Sequence, residues 1–220
     1  MPDMNTNDLF LGFDQAAVAA IRASRKTEIA DQGKARAMKK AHRLNVRRAK
    51  SEAVLKEILP NRISAGESWH VISHGDVDAL SFLLHLQSGV EYFDFVSIST
   101  WCMGAADLDM LEGLIESGRI EELSLYVGEI FPSQYGDEYA RAVALSDKYG
   151  FRLVVARNHS KVMCASVRAE GYYLVIESSA NVNTNPRIEQ TAVHASRELF
   201  DFYQEFFDDL KTIDRRHAKP

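Results

Sequence analysis

The sequence predicts an α/β domain in which a mixed or largely parallel sheet is flanked by helices. Short apolar segments alternate with amphipathic ones from residue 61 onward, which is the pattern of strands connected by helices. The apolar fraction is 46% and the charged fraction 26%, both ordinary for a soluble globular protein. Charge is unevenly distributed: residues 1–60 hold 12 Lys/Arg against 7 Asp/Glu, and residues 61–220 hold 14 against 24. We therefore expect a basic helical extension over 1–60 and the α/β domain over 61–220.

The N-terminal extension is predicted to be helical from about residue 14 to residue 59. It is rich in Ala, Lys, Arg and Glu, which are good helix formers, and Pro60 ends it. Three interpretations of its basic surface remain open: a solvated helix, an arm that contacts nucleic acid, and a docking helix. An arm that neutralises phosphates would use the clustered cations Lys39, Lys40, Arg43, Arg47 and Arg48.

The alternating segments after Pro60 predict six strands and four helices. The first of these helices can be capped by Asp76 or Asp78, because an aspartate side chain accepts hydrogen bonds from the first-turn N–H groups. Gly150 is expected to end the third, and Glu189 to open the last. The expected strands are 69–73, 92–98, 123–130, 152–156, 161–167 and 172–177, and the expected helices lie within 74–89, 105–117, 135–149 and 189–210.

The cysteines and the hydropathy pattern limit the class of protein. Cys102 and Cys164 each lie in an apolar run, so buried free thiols are expected ahead of a disulfide, as in a reducing cytosol. No Cys/His pattern suggests a metal site, and no metal or other cofactor is expected. No stretch is long and apolar enough for a transmembrane helix, and the N-terminus does not have the pattern of a secretory signal. We therefore expect a cytoplasmic protein without membrane contact.

Two polar groups of residues follow or precede apolar strands near the C-terminus. His159 and Lys161 are two residues apart at the start of a predicted strand, so their side chains project to one face while Ser160 projects to the other. The residues Ser178-Ser179-Ala180-Asn181 come directly after the strand 172–177, and Glu189 follows eight residues later. Polar groups held at strand ends are rigidly placed, which suits reacting groups.

This combination resembles the phospholipase D superfamily. The signature of that family is His-x-Lys, an Asp after a four-residue gap, then Gly-Ser-x-Asn and a later Glu. His159-Ser160-Lys161 matches the first element, Ser179 and Asn181 match the second, and Glu189 stands where the Glu is expected. Ser166 occupies the Asp position and Ser178 the Gly position. The resemblance covers residues 66–210 in element order, but its specificity lies in about 30 residues.

The resemblance implies metal-independent cleavage of a phosphodiester. His159 would attack phosphorus, while Lys161 and Asn181 hold the nonbridging oxygens and Glu189 orients the imidazole. Ser179 and Ser178 would line the substrate site, and His74, after the first strand, is a secondary candidate for its wall. Family members with one motif obtain a second histidine from another copy, so the resemblance implies a homodimer with a shared site.

Three functions are compatible with this site. A nuclease is the leading hypothesis, with nucleic acid as partner and DNA expected ahead of RNA, because the basic extension suits a polyanion. A catalytically weak or inactive nucleic-acid-binding or scaffold protein is the second, since Ser166 and Ser178 depart from the motif. A phospholipid hydrolase or transferase is the third. Trp101, after the second strand, could stack a base, although packing is the commoner role of tryptophan.

Overall fold

The computed structural model describes residues 48–75, 77–182 and 187–213, which belong to the unit Val46–Pro220. Within them, one seven-stranded mixed sheet has the order β1-β7-β6-β5-β2-β3-β4. The neighbours β2, β3 and β4 are parallel, and every other neighbouring pair is antiparallel. The predicted α/β fold with a mixed sheet is therefore confirmed. The strands are β1 (Ser68–Ser73), β2 (Phe93–Thr100), β3 (Ile120–Gly128), β4 (Arg152–Ala156), β5 (Val162–Val167), β6 (Tyr172–Ser178) and β7 (Glu189–Ala195).

Helices cover both faces of this sheet. One face packs against apolar residues of α1, α2, α3 and α5, including the fully buried Leu55, Leu80 and Leu108, and the other face packs against Phe200 and Phe207 of α6. Helix α1 spans residues 48–58 of the described chain, as expected for a helix stopped by Pro60. The other helices are α2 (Ala79–Gln87), α3 (Ala105–Glu116), α4 (Phe131–Gln134), α5 (Gly136–Tyr149) and α6 (Arg197–Asp208).

Local sequence signals explain where several helices begin and end. The Asp78 side chain accepts a hydrogen bond from Ser81 N at 2.9 Å and so caps α2, while Asp76 lies outside the described residues. Gly150 ends α5 with a φ of 71°, a left-handed conformation that glycine adopts at no steric cost. The predicted helix 135–149 is preceded by the short α4, because Pro132 favours the first turn of a helix.

The prediction that Glu189 opens the last helix is wrong. Residues Glu189–Ala195 form β7, with buried positions at 189, 191, 193 and 195 and more exposed ones between them. This alternation has a period of two, as in a strand with one face on the core, and the prediction overlooked it. Helix α6 begins only after Ser196, whose side chain accepts a hydrogen bond from Leu199 N at 3.2 Å. The sheet consequently has seven strands where six were predicted.

Candidate active site

The strand directions bring the predicted site residues to one edge of the sheet. Because β5 and β7 run opposite to their neighbours, their first residues lie where β1, β2, β3, β4 and β6 end. This edge, called the site edge below, therefore carries His159 and Lys161 before β5, Asn181 after β6, and Glu189 at the start of β7. His74 follows β1 at the same edge.

His159 and Lys161 are in direct contact. The Lys161 amino nitrogen lies 3.0 Å from His159 Nδ1 and 3.4 Å from Nε2, and it donates to the His159 carbonyl oxygen at 2.6 Å. The imidazole is exposed, while the lysine side chain is partly buried. A protonated lysine can only donate, so the ring nitrogen that faces it presents its lone pair. The pair thus combines an accessible nucleophile with an adjacent cation.

The segment that carries His159 is anchored from beneath by Asn158 and Ser160. The Asn158 amide nitrogen donates to Ser99 Oγ and to the Tyr126 carbonyl oxygen, both at 2.9 Å, and its oxygen accepts from Ser160 N at 3.0 Å and Ser160 Oγ at 2.7 Å. Ser99 and Ser160 hydroxyls are 2.6 Å apart. As the alternation predicts, Ser160 points away from His159 and Lys161. Asn158 and Ser99 are buried and Ser160 is exposed, so this hydrogen-bonded network ties the exposed segment to the core.

Asn181 is fixed by the loop that follows β2. Its Oδ1 accepts a hydrogen bond from Trp101 N at 3.4 Å. Val182 donates to Thr100 Oγ1 at 3.1 Å and pairs with Met103 in a parallel bridge, so the loops after β2 and β6 are joined across the start of β5. Since the Asn181 carbonyl faces Trp101, its NH₂ group is the one that can donate to a phosphate oxygen.

The serines of the second motif element are hydrogen-bonded within the turn to β7. Ser179 Oγ donates to the Glu189 carboxylate and accepts from Gln190 N at 3.0 Å. Ser178 Oγ lies 2.9 Å from Thr191 Oγ1 and accepts from Ala180 N at 3.1 Å. The hydroxyl of Ser178 is therefore used to build the turn, and Ser179 connects Glu189 to the loop that carries Asn181.

Burial and charge set the electrostatics of the site. Burial lowers the pKa of the Lys161 amino group from its ordinary value, and the nearby Cys102 and Glu189 oppose that shift. Burial likewise raises the pKa of the Cys102 thiol, against a hydrogen bond from Tyr135 and the charge of Lys161. Both cysteines are buried and neither forms a disulfide, as expected. No group of described residues could hold a metal ion. The chemistry available from these residues is nucleophilic attack supported by a cation and an amide.

Ser166, which occupies the Asp position of the motif, lies far from this chemistry. It is five residues beyond Lys161 along the chain, or about 16 Å in an extended strand. Its hydroxyl donates to Asp94 Oδ1 of β2 at 2.5 Å, and the same carboxylate accepts from Arg168 N and lies 3.5 Å from Arg168 Nε. A carboxylate is thus present in this region, supplied by β2 instead of β5. Ser166 lies near the end of β5, whereas the site edge lies at the start of that strand.

Arg48 differs from the role expected of it in a nucleic-acid-binding arm. Its guanidinium lies 2.6 Å from Asp107 and 3.7 Å from Asp78, and its side chain is only 12% exposed. It therefore joins α1 to the starts of α2 and α3 and is committed to the fold. Burial raises the pKa of Asp107 to about 6, although the hydrogen bond and the charge of Arg48 act to lower it. The other expected contacts, Lys39, Lys40, Arg43 and Arg47, lie outside the described residues.

Two features of the site were missed from sequence. Asn158 directly precedes His159 and supports the whole segment, and Ser99 and Thr100 end β2 with hydroxyls that bond to the site loops. The available signal was a run of polar residues interrupting the apolar pattern at the end of β2. His194, which was taken as part of a helix, lies on β7, where it contacts Ser68 at 2.8 Å and Glu177 at 3.1 Å.

Comparison with known proteins gives a likeness at the level of fold. No protein-family model and no curated protein matches the sequence. Polyphosphate kinase from Porphyromonas gingivalis aligns over 70% of this chain with a TM-score of 0.51 and 12% identity, and this chain spans only 27% of that protein. TrmBL2, an archaeal chromatin protein, aligns over 91% of this chain and 72% of its own, with a TM-score of 0.46 and 10% identity, which does not establish a common fold. The first likeness supports a phospholipase D-like fold for the described domain.

Proposed function

We propose that this chain is a metal-independent phosphodiesterase of the phospholipase D type, in which His159 is the nucleophile. The observation that carries the proposal is the convergence of His159, Lys161 and Asn181 at one sheet edge, with Ser179 and Glu189 joined beside them. These residues lie before β5, after β6 and at the start of β7, at positions up to 30 apart in sequence. They match the motif that the sequence suggested, on a fold of the matching kind.

The proposed reaction has two steps. A ring nitrogen of His159 attacks phosphorus, forming an N–P bond as the bond to the leaving oxygen breaks, and a second histidine protonates that oxygen. Water then attacks phosphorus, transfers its proton to that histidine, and releases the phosphorylated product together with free His159. Lys161 and the Asn181 amide stabilise charge on the nonbridging oxygens, which is usually a large contribution to such reactions. Glu189 would fix the orientation of the imidazole once Lys161 moves to the phosphate.

The second histidine is proposed to come from another copy of the chain. Of the two His-x-Lys triplets in the sequence, at 159–161 and 217–219, only the first is followed by Ser-x-Asn and Glu, so one chain supplies one half of the reacting groups. A two-fold homodimer would place two His159 side chains around one phosphate, because a two-fold interface presents the same surface twice. The functional proposal therefore includes self-association.

Nucleic acid is the proposed substrate, with DNA as the first to test. The support is compositional: the stretch 33–52 concentrates Lys and Arg, and clustered cations neutralise phosphates without regard to sequence. No described helix is long and apolar enough to cross a bilayer.

The test is cleavage of single- and double-stranded DNA and of RNA in EDTA. His159→Ala is expected to lose at least a thousandfold in rate, since no other group replaces the nucleophile, while His70→Ala, an exposed histidine on β1, is the matched control. Acid-quenched wild-type protein should contain phosphohistidine. A folded, dimeric protein that cleaves none of these substrates between pH 5 and 9, nor a small chromogenic phosphodiester, contradicts the proposal.

A binding protein with little or no turnover is the second candidate. The observation in its favour is that Lys161 rests against His159 and Glu189 is engaged with Ser179, so that both must rearrange before catalysis. Such a protein would bind oligonucleotides with an affinity that falls steeply with salt and would release no product. Single-turnover experiments with excess protein separate the two candidates.

A further inference from the structure

Trp101 places an aromatic ring beside the proposed nucleophile. It follows β2 at the site edge, and its ring centroid lies 5.1 Å from that of His159 with an angle of 61° between the planes. The side chain is partly exposed, whereas the residues on either side of it, Thr100 and Cys102, are buried. An indole that served only the core would be expected to be covered like its neighbours.

The backbone of Trp101 is held by hydrogen bonds at both its carbonyl and its N–H group. Its carbonyl oxygen accepts from Gly128 N at 3.2 Å, and its N–H donates to Asn181. A side chain at position 128 would collide with the indole ring, and its Cβ would lie 2.9 Å from the carbonyl oxygens of Trp101 and Asn158. The indole thus lies against bare backbone, in a fixed relation to both His159 and Asn181. A platform that does not have to be ordered on binding loses little entropy when a ligand stacks on it.

From this geometry we infer that Trp101 is a stacking platform for a nucleobase next to the scissile phosphate, and that the site takes unpaired, single-stranded nucleic acid. The inference rests on the proposed function. Reaction requires phosphorus within about 3–3.5 Å of the attacking nitrogen of His159. The nucleotide attached to that phosphorus must then lie over or beside the indole. In a duplex both faces of each internal base are covered by neighbouring base pairs, so only an unstacked base can use this platform.

The test measures binding to two oligonucleotides of equal length and charge, one of thymidines and one of abasic nucleotides. The full chain carries His159→Gln to prevent cleavage and Trp69→Phe, so that Trp101 is the one remaining tryptophan. The thymidine strand is expected to quench the fluorescence of Trp101 and to bind between about 5-fold and 150-fold more tightly than the abasic strand, the range for one stacked base. The abasic strand should bind with little quenching.

Variants at position 101 separate stacking from packing. Trp101→Phe keeps an aromatic face and should retain most of the preference for bases, whereas Trp101→Leu keeps apolar bulk and should bind both strands equally. Thermal melting verifies that each variant is folded. Equal affinity of the Trp101 protein for the two strands overturns the inference, as does a preference that survives in a folded Trp101→Leu protein, or the absence of binding to either strand.

Failure of the proposed function gives a different result. Hydrolysis of bis(p-nitrophenyl) phosphate by the wild-type chain requires His159 but no nucleobase. His159-dependent hydrolysis without a base preference refutes the platform and keeps the phosphodiesterase. A base preference without any hydrolysis keeps the platform and contradicts the enzyme.

Discussion

Restoring the motif residue at position 166 is expected to destabilise this protein. Ser166 is fully buried and its hydroxyl contacts the Asp94 carboxylate, whose side chain is only 14% exposed. Ser166→Asp would bring a second carboxylate to about 3 Å from the first. Two unit charges at that distance repel by about 5 kcal/mol at an effective dielectric constant of about 20. Arg168, with Nε at 3.5 Å from Asp94, offsets part of this repulsion, so we expect a net loss of about 3–4 kcal/mol at pH 7.5.

The loss should depend on pH in a defined direction. Two adjacent carboxylates favour uptake of one shared proton, so the folded state of Ser166→Asp binds a proton more readily than the unfolded chain. The free energy of unfolding of Ser166→Asp is therefore higher at low pH, where the pair shares a proton, and falls as pH rises and that proton is lost. Urea unfolding at pH 4.5 and 7.5 measures it, and we expect a penalty of about 1 kcal/mol at the lower pH.

Two further variants separate charge from shape. Ser166→Asn has the shape of the aspartate without its charge, so its cost measures overpacking alone. Exchanging the two residues, as Asp94→Ser with Ser166→Asp, retains one carboxylate and should recover most of the stability. If Ser166→Asp lies within about 0.5 kcal/mol of Ser166→Asn at pH 7.5, the charge of the new carboxylate costs nothing and the predicted repulsion from Asp94 is wrong.

The remaining predictions concern the supports of the site edge. Arg48→Met should lower the free energy of unfolding by about 3–5 kcal/mol at pH 8, measured in urea, since it leaves Asp107 charged and buried. The loss should be clearly smaller at pH 5, because burial already raises the pKa of Asp107 to about 6 and the carboxyl takes up a proton there. An equal loss at both pH values would contradict this account. Gly128→Ala should displace the indole of Trp101, reduce phosphodiester hydrolysis at least tenfold and cost about 2–3 kcal/mol in stability, because the added Cβ meets two backbone carbonyl oxygens as well as the indole; initial rates and thermal melting measure both effects. Asn158→Ala should cost about 2–4 kcal/mol, because its buried partners lose their hydrogen bonds, and unchanged stability would refute the anchoring role.

The residues of the candidate site were predicted largely from short-range rules. Spacing by two residues predicts His159 and Lys161 on the same face; in the structure they precede β5, their side chains are in contact, and Ser160 bonds to Asn158 instead. The cap at Asp78 and the stop at Gly150 also follow from local chemistry. Such signals depend on residues within a few positions of each other and can be interpreted from one sequence.

The rest of the site depends on contacts that no local pattern encodes. Glu189 opens a strand because β7 pairs with both β1 and β6, and the apolar residues of α6 obscured the shorter alternation before it. The hydrogen bond between Ser166 and Asp94 joins residues 72 positions apart. Arg48 looked like part of a cationic surface because its two aspartate partners are distant in sequence. Each of these differences arises from tertiary pairing.

The bridge between the loops after β2 and β6 bears on the order in which the residues of the site edge come together during folding. Met103 pairs with Val182, and Trp101 donates to Asn181 80 positions away, across chain that contains β3, β4, β5 and β6. Contacts of such high sequence separation carry a large loop-closure entropy and tend to form late. Helices and the parallel β2-β3-β4 segment can form while Asn181 is still distant from His159. If the proposed phosphodiesterase activity holds, its recovery on refolding should lag behind recovery of secondary structure and report completion of this loop pairing.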